Sequence, residues 1–287
     1  MKHPSILATL ACLSFSAMPV CAEPPPLTIV HLTDIHMRPD FDAPKRLPHA
    51  LADVRKRNPA LIINTGDTID GSSRSEEKWR LWRDAVAAEI SGIPLYNLLG
   101  NHDIDRPLTK EASCRELGMP ARFYTFDKLG WRFVMLDGNG LAKDQEQWNW
   151  LVKLLDGTPT STPVAIATHQ PVFSMGAAIH TPGDMSAKWR ELIALFAKHP
   201  NVKLCMGGHI HLADVCRYNG VTYTCGGSLG GYWWETVKSS DGKGSYHETP
   251  PGYNIIKLSS SDVISVTYTR YPDPVIDNRP ESPSPTN

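Results

Sequence analysis

Short apolar runs alternate with amphipathic stretches along most of the chain. Residues 27–32, 61–64 and 93–99 are apolar runs of strand length, each bounded by turn or helix signals. Between these strands, residues 46–58 and 75–90 carry apolar side chains at helical spacing. Such alternation of strands and helices predicts a parallel sheet covered by helices.

The same alternation continues through the middle of the chain and then changes. Further strands are predicted over 122–126, 131–136, 164–168 and 202–206, and further helices over 144–155 and 187–199. Beyond residue 206 the pattern predicts two hairpins, 212–218 with 221–225 around Asn219-Gly220, and 253–258 with 263–270. We therefore expect one α/β domain over residues 27–270, with more than one sheet packed between helices.

The N-terminus predicts an export signal. Lys2 and His3 precede an apolar stretch that ends in Val20-Cys21-Ala22, small residues of the kind that a signal peptidase reads. We predict that residues 1–22 are a signal peptide and that the protein is exported, either periplasmic or secreted. The apolar stretch is too short for a membrane span, so none is expected in the mature chain. A buried N-terminal helix and a lipid-anchored N-terminus are the alternatives.

Composition narrows the class of protein. The 287 residues are 41% hydrophobic and 21% charged, with a formal net charge of -1. These values are those of a globular protein, and the charge gives no support for nucleic acid as a partner. Residues 271–287 are rich in Pro, Ser and Asp and predict a disordered tail.

Four cysteines remain once the signal peptide is removed. They are Cys114, Cys205, Cys216 and Cys225. Export permits disulfides, and four cysteines allow three pairings, among which the sequence does not choose. Buried free thiols are the alternative for the cysteines in apolar strands.

Polar side chains follow five of the predicted strands. They are Asp34 and His36, then Asp67 and Asp70, then Asn101, His102 and Asp103, then His169, and finally His209 and His211. Sites in open α/β sheets form at the carboxyl ends of strands, and these side chains are ligands for divalent cations. Taken singly, each is explained by a helix cap or a surface histidine. It is the joint pattern at five strand ends that predicts a metal site.

In this order, the blocks resemble those of the calcineurin-like metallophosphoesterases. The matching blocks are Asp34-x-His36, Gly66-Asp67-x-x-Asp70, Gly100-Asn101-His102-Asp103, His169 and Gly208-His209-x-His211. The resemblance extends over 27–258 and is strongest to the bacterial branch that includes cyclic-nucleotide phosphodiesterase-like proteins. It implies a four-layer α/β/β/α sandwich of two mixed β-sheets flanked by helices, with the metal site at the carboxyl ends of the strands.

The resemblance also implies a centre with two divalent metal ions, whose identity (Mn, Fe or Zn) the sequence leaves open. A first position would be held by Asp34, His36, Asp67 and His211. A second position would be held by Asp67, Asn101, His169 and His209, with Asp67 bridging the two ions. A water activated by both ions would attack the phosphorus of a small phosphate ester.

Three further residues near the metals have implied or expected roles. By the resemblance, His102 would protonate the leaving oxygen of the substrate or stabilise charge on the phosphoryl group. Asp103 would orient His102 or a metal ligand, and Asp70 would accept a hydrogen bond from a ligand imidazole. For both aspartates, helix capping is the alternative.

Candidate substrate contacts come from two places. Arg38 and Arg106 lie just beyond ligand blocks and could contact phosphate, although solvated arginines are the alternative. Tyr232, Trp233 and Trp234 follow a glycine-rich loop that could bring them over the site, or they could be core residues that anchor the loop.

Three functions are therefore compared. The first is a two-metal hydrolase of phosphate diesters or monoesters. The second is a catalytically weak metal-binding sensor or scaffold of the same fold, against which the intact His102 argues. The third is another class of metallohydrolase, against which the Gly-Asn-His-Asp block argues. Oligomeric state and the natural ester stay open at this point.

Overall fold

The computed structural model describes residues 25–174, 187–231, 237–238, 245–246 and 248–273. The predicted signal peptide, 1–22, lies outside these residues, as does most of the predicted tail. None of the described helices combines the length and apolar character that crossing a bilayer requires.

Among the described residues, one sheet contains the first three strands and the last two. Its strands are β1 (Leu27–Leu32), β2 (Leu61–Asn64), β3 (Leu95–Asn97), β12 (Gly252–Leu258) and β13 (Val263–Arg270). They lie in the order β13-β12-β1-β2-β3. The first three are parallel, whereas β12 pairs antiparallel with both β1 and β13. The sheet is therefore mixed, and its parallel strands end at one edge.

The other sheet has six strands in the order β4-β5-β6-β7-β9-β8. They are β4 (Tyr124–Lys128), β5 (Trp131–Met135), β6 (Val164–Ala167), β7 (Val202–Gly207), β8 (Asp214–Tyr218) and β9 (Val221–Cys225). The four central strands are parallel, and an antiparallel strand lies at each edge. Two short strands, β10 (Val237–Lys238) and β11 (Ser245–Tyr246), form a separate pair.

Helices cover the outer faces of both sheets. They are α1 (Ala43–Lys56), α2 (Ser75–Glu89), α3 (Lys110–Glu116), α4 (Gln145–Asp156) and α5 (Ala187–Lys198). Alternation along β5 shows the layering, because Phe133 and Met135 join the core that also contains Leu51 of α1, while Val134 packs in a separate core with Leu151 of α4. The predicted sandwich of two mixed sheets between helices is thus confirmed.

Element bounds depart from the prediction at a few places. Helix α1 begins at Ala43 rather than at residue 46, because Pro44 suits the first turn of a helix. Strand β3 is restricted to three residues, 95–97, and helix α3 was absent from the prediction. At the first hairpin, Asn219 and Gly220 both have positive φ, as the predicted two-residue turn requires.

The disordered tail was predicted to begin at residue 271, and the structure contradicts this start. Tyr271 and Asp273 are buried. The Tyr271 hydroxyl donates to the Leu229 carbonyl oxygen at 2.6 Å, and Arg46 Nε donates to Asp273 Oδ2 at 2.9 Å. Composition predicted disorder here because it carries no information about these two long-range contacts. The packed fold extends at least to residue 273.

All four remaining cysteines are free thiols. Cys114, Cys205 and Cys225 are buried, and Cys216 is half-buried. None of the three disulfide pairings that the sequence leaves open is formed, and the alternative of a buried free thiol holds for Cys205 and Cys225, the two cysteines in apolar strands.

Candidate metal centre

The loops that follow β1 and β2 run side by side. The backbone N–H of Asp34 donates to the Gly66 carbonyl at 3.0 Å, and that of His36 donates to the Asp67 carbonyl at 2.9 Å. Met37 continues the ladder by a bridge to Ile69. Main-chain hydrogen bonding therefore places the three predicted ligands of these loops next to one another.

Five of the seven predicted metal ligands have left-handed backbone conformations. They are Asp34 (φ 51°), His36 (φ 48°), Asp67 (φ 51°), His209 (φ 71°) and His211 (φ 54°). Each such conformation costs a non-glycine residue on the order of 1–3 kcal/mol and persists only where the surroundings enforce it. Such strain clusters at functional sites, and here it falls on the side chains that the sequence singled out.

The first group of ligands combines Asp34, His36 and His211. Their ligand atoms all lie within 4.8 Å of one another, and all three side chains are buried. His211 Nε2 is 3.3 Å from Asp34 Oδ1 and 2.9 Å from His36 Nε2. Asp67 Oδ2 is 3.8 Å from His36 Nε2. The structure thus brings together the four residues predicted for the first position.

The second group combines Asp67, His169 and His209, whose ligand atoms also lie within 4.8 Å of one another. His169 Nε2 is 3.1 Å from Asp67 Oδ2, 3.0 Å from Asn101 Oδ1 and 3.3 Å from His209 Nδ1. These are the four residues predicted for the second position, and Asp67 contacts both groups.

The side chains in this cluster fit metal ions. Asp34 Oδ1 is buried and accepts no well-formed hydrogen bond from the described residues, although His36 and His211 lie beside it. Imidazole nitrogens from different strands converge to about hydrogen-bonding distance of one another. Imidazole, carboxylate and amide donors together suit Mn, Fe or Zn, which would satisfy the orphaned oxygen and separate the convergent rings.

The electrostatics of the cluster favour cations. Burial lowers the pKa of His211, but Asp34 more than offsets this effect and the pKa rises to about 10. Burial is likewise outweighed by Asp67 at His169, whose pKa rises to about 9. Burial and then the charge of His169 lower the pKa of His209 to about 4. Metal binding at such a site displaces protons, because the ligand imidazoles must be neutral.

His102 stands beside both ligand groups. Its backbone N–H donates to Asp67 Oδ1 at 2.8 Å, and its ring meets that of His36 edge to face, with centroids 4.9 Å apart. The ring is 28% exposed, so it can reach a substrate from the cluster. Burial lowers its pKa, but the carboxylate of Asp70 offsets this and the net pKa is raised.

The contacts of Asp70 and Asp103 are only partly those that were predicted. Asp70 Oδ1 lies 3.3 Å from Nδ1 of His102, the proposed acid, whereas a ligand imidazole was expected. Asp103 Oδ1 accepts from the backbone N–H groups of Thr68 (2.9 Å) and Ile69 (3.1 Å), and Oδ2 accepts from that of Gly100 (2.9 Å). Asp103 therefore ties together the loops after β2 and β3, and Asp70 is the aspartate that contacts His102.

The residues predicted to contact substrate differ in where the structure places them. Arg38 is 40% exposed, donates to Asp70 Oδ2 at 3.1 Å and lies over the Phe41 ring. It is thus at the rim of the site, one residue removed from His102. The side chain of Arg106 is exposed. Tyr232, Trp233 and Trp234 lie outside the described residues, so their roles stay predictions.

Two partners of the ligand histidines were missed at the sequence level. His211 Nδ1 contacts Oε1 of Glu248, a buried carboxylate, and His169 Nδ1 lies 2.8 Å from the carbonyl oxygen of Thr65. Glu248 lies 37 residues from His211 along the chain and follows no strand-end block. A backbone carbonyl has no sequence signal at all.

The glycine-rich loop after β9 holds the backbone of Asp34. The Asp34 carbonyl accepts from Ser228 Oγ at 2.7 Å and from the Gly230 N–H at 3.3 Å. A Cβ at Gly230 would lie 1.7 Å from the Ile35 carbonyl oxygen, so only glycine allows this close approach. The loop therefore helps to enforce the strained conformation of the ligand.

Comparisons with known proteins show which family the chain resembles. The family model described as calcineurin-like phosphoesterase matches residues 27–213. A probable cyclic nucleotide phosphodiesterase of Synechococcus is 30% identical over 203 residues, which cover 66% of this chain and 75% of that protein. A 3′,5′-cyclic-nucleotide phosphodiesterase of Nostoc is 25% identical over 264 residues, covering 86% of this chain and 93% of that protein.

Solved structures give the same fold. A dimetal phosphatase from Danio rerio superposes with a TM-score of 0.62 at 16% identity, covering 86% of this chain and 100% of that one. The family model matches well over half of the sequence and spans every predicted ligand. The chain belongs to the calcineurin-like phosphoesterase family.

Proposed function

We propose that the protein hydrolyses phosphate esters with two divalent metal ions, and that a nucleotide-type phosphodiester is the substrate to test first. The observation that carries this proposal is the position of Asp67, which is a member of the second ligand group and also lies 3.8 Å from His36 of the first. The printed names of the Synechococcus and Nostoc relatives support the choice of a phosphodiester.

The predicted ligands fall into two sets, one for each metal ion. Asp34, His36, Asp67 and His211 would hold one ion, and Asp67, Asn101, His169 and His209 would hold the other. When bound, such a pair polarises a phosphoryl oxygen and lowers the pKa of a bound water toward about 7. Asn101 contributes an uncharged oxygen, so the second position carries less negative charge than the first.

His102 is suited to protonate the leaving oxygen. Its ring is partly exposed and lies beside His36, and Asp70 at 3.3 Å favours the protonated imidazole. A proton donor next to the cluster supplies the group that a poor leaving oxygen needs. Arg38, which contacts Asp70, could meet a phosphoryl oxygen at the rim.

His102→Ala is the variant that tests the proposal. We expect the variant to retain two metal equivalents and to lose on the order of 10²–10⁴-fold in kcat on esters with poor leaving groups. Substrates would be an aryl phosphodiester, an aryl phosphomonoester and a cyclic nucleotide, assayed with each metal restored in turn. Exposed His49 in α1 is the matched control, and His49→Ala should leave all rates unchanged.

Two results would contradict the proposal. Wild-type protein that binds fewer than two equivalents of every metal would exclude the two-metal centre. Protein that binds two equivalents but hydrolyses none of the esters would favour the alternative of a metal-binding sensor or scaffold.

We also infer that the protein is exported. Support comes from the basic, apolar and small-residue order of residues 1–22. Cell fractionation and N-terminal sequencing of the purified protein test this inference, with a mature chain beginning near Glu23 as the expected result.

A further inference from the structure

Glu248 is a buried carboxylate with a specific partner. Its side chain is fully buried, and Oε1 contacts Nδ1 of His211, whose side chain is 3% exposed. The other ring nitrogen of His211, Nε2, faces Asp34 and His36 in the first ligand group. The imidazole therefore lies between an outer carboxylate and the atoms of the first position.

The backbone fixes Glu248 in this place. The N–H of Thr249 donates to the His211 carbonyl at 3.1 Å, and the Ala213 N–H donates to Thr249 Oγ1 at 2.8 Å. These two bonds join residues 248–249 to the segment that carries His211. The contact is thus part of the fold, although Glu248 lies beyond residue 213, where the match to the family model ends.

The second position has a different arrangement. The corresponding outer partner of His169 is the neutral carbonyl oxygen of Thr65, at 2.8 Å from Nδ1. A carboxylate partner makes an imidazole a more basic ligand and adds negative charge near the cation, whereas a carbonyl adds no net charge. The two positions therefore differ in the groups behind their ligands as well as in the ligands themselves.

We propose that Glu248 is a positioning residue that holds His211 with Nε2 toward the first metal position and selectively raises metal affinity there. This proposal rests on the proposed two-metal function. Glu248 would be a residue that controls metal affinity although it lies outside the five sequence blocks shared with the family. We expect the effect mainly at the first position, because Glu248 contacts His211, whereas Nδ1 of His169 in the second position lies against the carbonyl oxygen of Thr65.

Glu248→Gln is the sharpest test. Glutamine keeps an acceptor oxygen for His211 Nδ1 but removes the charge, and Glu248→Ala removes both. Affinity would be measured by competition with a chromophoric chelator, using Zn²⁺ and Mn²⁺ separately. Loss of such an outer partner typically weakens metal binding about 10–100-fold, and we expect this loss for one equivalent, smaller for Gln than for Ala.

Two variant backgrounds show which metal position Glu248 affects. His209→Ala removes a ligand of the second group, so the remaining tight equivalent reports the first position, and Glu248→Gln should weaken it. His36→Ala removes a ligand of the first group, and Glu248→Gln should then change the remaining affinity little. Equal weakening in both backgrounds, or in neither, would overturn the proposal.

A control separates metal affinity from folding. Asp53 is another buried carboxylate, which accepts from the Tyr253 hydroxyl at 2.6 Å and from Arg57 at 2.9 Å. Asp53→Asn should lower the metal-free melting temperature without changing metal affinity. If Glu248→Gln behaves in the same way, Glu248 is merely structural and the proposal is wrong. Fewer than two equivalents in the wild type would instead contradict the proposed function.

Discussion

Asp70 connects two side chains that could both act on a substrate. One of its oxygens lies 3.3 Å from His102 Nδ1, and the other accepts from Arg38 at 3.1 Å. Partial burial raises the pKa of the Asp70 carboxyl, but the contact with His102 and the nearby His36 and Lys78 outweigh burial, so the net pKa is lowered. Asp70 therefore contacts the ring of His102 and helps to raise its pKa.

Asp70→Asn should shift the pH dependence of the reaction. Asp70 raises the pKa of His102, so its loss lowers that pKa and removes the proton at a lower pH. The alkaline limb of kcat against pH should move to lower pH for a poor leaving group. Removal of the acid itself is expected to lower the rate on the order of 10²–10⁴-fold, and the loss in Asp70→Asn should be smaller. In a His102→Ala background, Asp70→Asn should leave the limb unchanged, and a shift there would refute the role.

The position of Asp67, the proposed bridging ligand, depends sterically on Gly100. A Cβ at Gly100 would lie 2.1 Å from both the backbone nitrogen and Oδ1 of Asp67. Gly100→Ala should therefore displace Asp67 and reduce both metal equivalents, as measured by metal analysis after gel filtration. Gly118→Ala is the control, since a Cβ there meets nothing within 4 Å. Its positive φ of 64° should cost stability on the order of 1 kcal/mol while both metals stay bound. Full occupancy in Gly100→Ala would exclude the steric account.

At the scale of elements, strands and helices followed from local patterns more reliably than their ends did. Period-two alternation and helical spacing are properties of neighbouring residues, and they predicted β1, β2, α2 and α5 to within one residue. Helix α3 has only seven residues, which is too short for a periodic signal. The burial of Tyr271 and Asp273 depends on partners 42 and 227 residues away in the chain, so local composition could not predict it.

The segment after β13 stabilises the fold through one buried ion pair. Arg46 and Asp273 are 2% and 4% exposed, and Nε is 2.9 Å from Oδ2. Asp273→Ala should lower the free energy of unfolding by about 3 kcal/mol, near the lower end of the range for such pairs, because Asp42 remains 3.8 Å from Arg46.

An exposed pair is the control for this prediction. Asp40 and Arg74 are 67% and 50% exposed, and Asp40→Ala should cost about 0–1 kcal/mol. Urea unfolding of both variants measures the difference. Equal costs would mean that the segment after β13 contributes no more than a surface contact.

At the scale of the whole molecule, the site joins the two sheets. Asp34, His36, Asp67 and Asn101 follow strands of one sheet, whereas His169, His209 and His211 follow strands of the other. The convergence of these seven side chains could be predicted because each follows a strand with a recognisable block, whereas their role as metal ligands stays a prediction. Glu248 and the carbonyl of Thr65 were not, because they meet their histidines only through the packing of the two sheets.

Chelation should therefore destabilise the whole fold, and more so at higher pH. Metals present at about 100 times Kd should add about 2.7 kcal/mol per site. In the metal-free protein the pKa of His211 is raised to about 10 and that of His169 to about 9, above the ordinary 6.5. Their stabilisation is complete below pH 6.5 and is lost as pH rises through 9 to 10. The gap in melting temperature between metal-loaded and chelated protein should widen over that range, and a constant gap would contradict the assignment.

The pairing of β1 with β12 has a consequence for how the chain is made. Leu27 pairs with Leu258, so the first strand of the described residues is completed on one side by a strand that follows more than 200 residues later. A nascent chain that lacks β12 leaves β1 with an unpaired edge in the middle of its sheet, and such long-range pairing is slow to form. We expect ribosome-bound chains that stop before residue 252 to be cut by protease far faster than chains that include β13. Late folding of this kind would keep the polypeptide open until synthesis is nearly finished, the state in which a chain can be threaded across a membrane.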